Sequence, residues 1–211
     1  MKNLKLFLLV LILCKQTYSQ DNSEYKHVEK YFTKDQIIVL ESIISFVDSA
    51  VNPEKVDIES AYKAYINSLD VDEYIQVRLF DQDIKEKFLT NLPEDVFDKI
   101  WTKQIPRSVK TRDTTLYDPE NFWSFDINII GDYMKLLKVL GKKDKYYKDI
   151  SKSIWLCGGI GPTVFVGIFR QFNEFNLDKF TDKLWLAIFL LTIEESTEIR
   201  VEKYLSKSVR P

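Results

Sequence analysis

The chain has 211 residues, 45% of them hydrophobic and 14% aromatic, with a formal net charge of -2. This is the profile of one folded domain with a substantial core. Only six glycines and six prolines argue against disorder and against a turn-rich β-sandwich. No basic excess points to nucleic acid, and no block of like charge is long enough to form a tail.

The N-terminus has the layout of a secretory signal peptide. Met1 to Lys5 is a basic start, Leu6 to Cys14 is apolar, and Thr17-Tyr18-Ser19 offers a small residue for cleavage before Gln20. The apolar run is too short for a membrane anchor, which needs about 20 residues. Removing residues 1–19 takes Lys2, Lys5 and Lys15 from the 30 basic residues, leaving 27 against 32 acidic ones. The exported chain is therefore expected in the periplasm or outside the cell, with no transmembrane helix after cleavage. Leu11-Ile12-Leu13-Cys14 also resembles a lipobox, and acylation of Cys14 would instead tether a lipoprotein; Leu13 is larger than that motif wants. After cleavage Cys157 is the one remaining cysteine, so no internal disulfide is possible. Placed between Leu156 and Gly158 at a helix end, it is expected to be a buried apolar group.

Residues 20–32 read as a polar N-terminal segment. Thr33-Lys34-Asp35-Gln36 is a capping-box pattern that opens a helix to about Ala50, with Ile37, Leu40, Ile44 and Val47 on its apolar stripe. Asn52-Pro53 stops it. A second helix is expected over 57–69 on Ile58, Ala61, Tyr62, Tyr65, Ile66 and Leu69. The pattern then continues through Tyr74, Val77, Phe80, Ile84 and Phe88. Pro93 opens a helix that buries Val96, Phe97, Ile100 and Trp101 and ends at Ile105-Pro106. Asp118-Pro119-Glu120 reads as a cap for a helix through Leu140, with a kink at Gly131 and closure at Gly141. Lys142 to Cys157 forms the next helix, and Gly158 and Gly159 are expected at positive φ beyond it. Pro162 starts its partner. A last helix is expected over 181–205, and Leu184 to Ile193 within it is apolar on every face, so protein must surround it.

The fold class is thus all-α: a single globular bundle of about seven to nine helices over residues 20–211, with no strand. An irregular α-solenoid of helical hairpins is the alternative, but no signature recurs at a period near 35 residues.

Chemistry-bearing motifs are sparse. His27 is the only histidine and lies in the polar N-terminal segment, so neither a histidine-rich metal site nor a Ser-His-Asp arrangement is expected. Glu194, Glu198 and Glu202 recur every four residues without the Glu-x-x-His of a di-metal carboxylate site, and read as a solvated helix face. Gly158 to Pro162 lacks the Lys or Ser/Thr of a phosphate loop. No catalytic residue, metal or cofactor follows from these patterns.

The connection over 106–118 is the best candidate site. Lys110, Arg112, Tyr117, Asp118, Glu120 and Trp123 set charge beside aromatic surface on a long loop, a composition that suits a protein or peptide partner. The leading expectation is a non-catalytic protein- or peptide-binding module of the bacterial envelope. The alternatives are a carrier of a small apolar ligand or lipid, with a cavity near Trp155, Phe165, Phe169, Trp185 and Phe189, and a carboxylate-dependent hydrolase using Asp118 or Glu120.

Overall fold

The computed structural model describes residues 22–68, 82–117, 122–194 and 197–208. The signal segment with Cys14, the helical pattern over 70–80 and the expected cap at Asp118-Pro119-Glu120 lie outside those residues. Ten α-helices and four short strands are described. They run α1 Asn22–Val28, α2 Lys34–Val51, α3 Ile58–Ser68, α4 Gln82–Thr90 and α5 Glu94–Ile100. Then come β1 Trp101–Gln104, β2 Val109–Lys110, β3 Thr115–Leu116 and β4 Ser124–Ile127. The remainder is α6 Asp132–Leu140, α7 Lys145–Cys157, α8 Pro162–Gln171, α9 Phe180–Thr192 and α10 Thr197–Ser208. A 3-10 turn over Phe172–Glu174 follows α8.

Helix α9 is the axis. From Leu184 to Thr192 every side chain is buried, and the helix packs most extensively along α2, with β4 and α1 also against it. Each large apolar side chain removed from water contributes about 1.5–3 kcal/mol, so this helix anchors the core. Its few polar groups are all partnered. Asp182 accepts from the Tyr147 hydroxyl at 2.6 Å and from the Asn176 amide at 2.9 Å. Trp185 Nε1 donates to the Tyr146 hydroxyl at 2.9 Å, and Trp101 Nε1 to Thr192 Oγ1 at 2.9 Å. Burial without loss of hydrogen bonds is what lets such a helix sit centrally.

The Thr33 capping box forms as expected, with the Gln36 amide donating to Thr33 Oγ1 and the Thr33 amide to Gln36 Oε1. Gln36 is buried and also bonds Lys99 and Asp95, tying the start of α2 to α5. The segment ahead of it differs from its polar reading. Residues 22–28 are helical, and Val28 and Phe32 are buried in the main core.

The all-α expectation needs correction in the middle of the chain. The structure is mostly helical, but β1 and β4 pair antiparallel, with Trp101 opposite Ile127 and Gln104 opposite Ser124. The helix at Pro93 therefore stops at Ile100, and residues 124–127 are a strand rather than helix. Phe125 and Ile127 face the core while Ser124 and Asp126 lie partly exposed, the two-residue period of a half-buried strand. Gly131 is the N-cap of α6, not a kink. A second pair joins Val109 to Leu116 and Lys110 to Thr115, turning the 106–118 connection into a small hairpin.

Two helix ends also depart from expectation. The continuous helix over 181–205 is two helices, since Ile193 takes an extended conformation after Thr192. Glu194 therefore leaves the supposed acidic face, while Glu198 and Glu202 remain exposed on α10. At the end of α7, Gly158 has φ of 76° and caps the helix as expected. Gly159 is not at positive φ; it is glycine because a Cβ there would collide with the Asp126 carboxylate. Cys157 is exposed, contrary to its expected burial, because α7 buries Tyr147, Ile150, Ser151 and Ile154 instead.

These two glycines should respond differently to substitution. Gly158→Asn keeps a side chain tolerant of the left-handed region and nothing lies near its Cβ, so the loss should stay within about 1 kcal/mol. Gly159→Ala displaces the Asp126 carboxylate from the Ile127 and Ile160 amides and should lose about 1–3 kcal/mol. Urea denaturation of both variants checks the order; equal losses would contradict it.

Candidate interaction site

Those expected site residues that are described fall on the hairpin and its surroundings. Lys110 is on β2, Arg112 is at the exposed tip, and Tyr117 follows β3 with 81% of its surface in solvent. The tip is closed by the Thr111 amide donating to the Thr114 carbonyl at 2.9 Å and by the Thr114 amide donating to Thr111 Oγ1 at 3.1 Å. Asp118 and Glu120 lie outside the described residues. Trp123 is half-buried: its ring stands edge-on to Phe125 at 4.7 Å, and the Lys103 ammonium sits 4.3 Å from its centroid.

A small satellite core holds the hairpin to the last helix. Val109, Phe122 and Val201 are buried together, with Leu116 and Tyr204 packed against them. Arg200 from α10 donates to the Trp123 carbonyl at 2.6 Å and lies 5.9 Å from the Phe122 ring. Between these parts is a pocket of about 290 Å³ lined by Ile105, Lys110, Phe122, Ser124, Thr197 and Arg200, among others. Its lining includes two cations, Lys110 and Arg200, and the aromatic Phe122. Lys110 was expected here; Arg200 and Phe122 were not. Arg200 is 90 residues away in sequence, so no local pattern could join it to Lys110.

Beneath the β1–β4 pair is a buried polar knot. Lys85, with 3% of its side chain exposed, is 3.1 Å from Glu194, itself 17% exposed, and donates to the Ile193 carbonyl at 2.8 Å. Burial pushes the Lys85 ammonium below the usual lysine range and outweighs the opposing pull of Glu194. Glu194 also accepts from Gln82 at 2.7 Å and from the Phe125 amide at 3.2 Å. Asp126 accepts from the Ile127 amide at 2.7 Å and from the Ile160 amide at 3.2 Å, and burial raises its carboxyl above the usual range. The Gly158–Pro162 turn therefore directs an amide at an internal carboxylate.

Of the residues expected around an apolar cavity, Trp155 is 49% exposed on α7, while Trp185 and Phe189 are fully buried. Phe189 contacts the rings of Phe165 at 5.6 Å and Trp185 at 6.0 Å. The side chain of Phe169 is not among those described. His27 is half-buried at the end of α1. Among the described residues, no three His, Cys, Asp or Glu side chains converge in a metal-binding group, and no helix is long and apolar enough to cross a membrane.

With this geometry established, comparison gives no relatives: no protein family, no curated protein and no solved structure matches the chain.

The knot predicts a specific pattern of coupling. Glu194→Ala strands a buried ammonium and should lose about 3–5 kcal/mol. Lys85→Met in that background should recover a good part of the loss. A double-mutant cycle by urea denaturation measures it, and strict additivity would mean that the pair is not coupled.

Proposed function

We propose that the protein is an exported, non-catalytic binding module of the bacterial envelope that takes a protein or peptide partner at the β2–β3 hairpin. The observation that carries this reading is the exposed hairpin, bearing Lys110, Arg112 and Tyr117, beside a pocket lined by Arg200 and Phe122. Arginine and aromatic side chains dominate the energetics of protein contacts. Two cations at the pocket favour a partner segment with an acidic group, set by charge complementarity. Support for a binding rather than catalytic role comes from the partners of two half-buried carboxylates. Glu194 and Asp126 are occupied by Lys85, Gln82 and backbone amides, which suits structural work.

Export rests on the signal layout of residues 1–19, with periplasm or exterior as the destination, and tethering through Cys14 as the alternative form of the same route.

A photo-crosslinking amino acid at Tyr117, in the protein expressed in its own host, tests the site. It should give one discrete adduct, reduced at least tenfold by Lys110→Glu with Arg112→Glu, while the same probe at exposed Lys63 gives none. Equal labelling from both positions would reject the hairpin as the binding face.

A further inference from the structure

Lysine is unevenly placed in this chain. The formal charge is -2, yet Lys138, Lys142, Lys143, Lys145, Lys148 and Lys152 all border one open trough of about 820 Å³ along α6, α7 and the turn between them. Every one of the six is exposed. Asp144 and Asp149 are the acidic residues of that lining, and each is already engaged: Asp144 caps α7 through the Tyr146 amide at 2.8 Å, and Asp149 pairs with Lys145. The surplus charge is strongly positive.

Apolar surface adjoins that charge. Lys145, Lys148, Lys152 and Trp155 fall at positions i, i+3, i+7 and i+10 of α7, one continuous face opposite the buried Tyr147, Ile150 and Ile154. Trp155 is 49% exposed at the end of this face, with the Lys138 ammonium 4.1 Å from its ring centroid. Leu156, next to it, is 72% exposed. A soluble core gives no reason to leave a tryptophan and a leucine together in water at a helix end.

We propose that the α6–α7 trough is a docking face for an anionic phospholipid bilayer. Clusters of four to eight lysines on an amphipathic helix are attracted to acidic headgroups, each lysine near the surface adding to the attraction. Tryptophan prefers the headgroup level, where its ring is amphipathic, and a neighbouring aliphatic side chain can enter the acyl boundary. The cations are all lysines, point charges on long stems, which suit a fluid array of phosphates better than the fixed fork of arginine suits one carboxylate. Charge and interfacial side chains occur on the same helix face, a combination that binding to a soluble polyanion does not require.

Sedimentation with vesicles tests this, using the protein recovered from its expressing cells with the N-terminus those cells leave. Vesicles of phosphatidylcholine containing about a third phosphatidylglycerol should carry the protein down, and pure phosphatidylcholine vesicles should not. Raising the salt from about 0.05 M to about 0.5 M should release it. Binding should shift the tryptophan emission to the blue, and Trp155→Phe should remove that shift. Lys142→Glu/Lys143→Glu/Lys148→Glu should weaken partitioning at least tenfold. Lys34→Glu/Lys63→Glu/Lys87→Glu changes the net charge equally on other elements and should weaken it much less. The proposal is overturned by equal binding to neutral vesicles, by equal losses in the two triple variants, or by a blue shift that survives Trp155→Phe. Binding to polyglutamate or to a DNA oligonucleotide, with no sedimentation on phosphatidylglycerol, also overturns it.

Discussion

From Leu184 to Thr192 helix α9 has no solvent face, and that constraint reaches most of the molecule. A helix apolar all round can exist only if other elements enclose it, so α2 lies along it while α1 and β4 cover other parts. Its two ends are fixed by hydrogen bonds rather than by further apolar contact. Near the start, Asp182 and Trp185 reach the adjacent tyrosines of α7; at the end, Thr192 receives the Trp101 indole. The polar groups of the axis therefore set which neighbours lie where, while burial supplies the stability.

The two internal carboxylates extend that order outward. Ile193 is extended after Thr192, and Glu194, the second residue past α9, bonds Lys85 and the Phe125 amide. Asp126 reaches from β4 to the turn after α7, and Gly159 is required there because the carboxylate occupies the space of a Cβ. One carboxylate thus ties the end of α9 to α4 and β4. The other ties the end of α7 to the strand layer. The proposed partner-binding hairpin and the proposed lipid-binding face both rest on elements that these buried pairs hold.

Legibility in the sequence followed the range of the interactions. The Thr33 box, the Gly158 cap and the start at Pro162 are set within a few residues, and each was readable. The burial of α9 was readable because eight apolar residues in succession, Leu184 to Leu191, leave no polar face. Trp123-Ser124-Phe125-Asp126-Ile127 did alternate, but five residues are too few to outweigh a helical continuation when the partner strand, Trp101–Gln104, buries only its first residue. The residues just after Thr192 bond Lys85, more than a hundred residues earlier, and Arg200 lines the same pocket as Lys110 across a gap of 90. The expected residues Lys110, Arg112 and Tyr117 lie on or beside the hairpin, whereas Trp123 is half-buried against Phe125. The lysines of 138–152 are close in sequence, but it is the packing of α6 against α7 that sets them around one trough.

Helix α9 organises the fold, and the surface elements are hung on it. Native-state hydrogen exchange by mass spectrometry tests this most directly. Amides of Leu184 to Thr192 should exchange only through global unfolding, the slowest in the chain, while the hairpin tip around Arg112 and Asp113 exchanges through local opening. Exchange of the α9 amides faster than those of α2 would contradict the account, because the helix would then be opening independently of the core it is said to support.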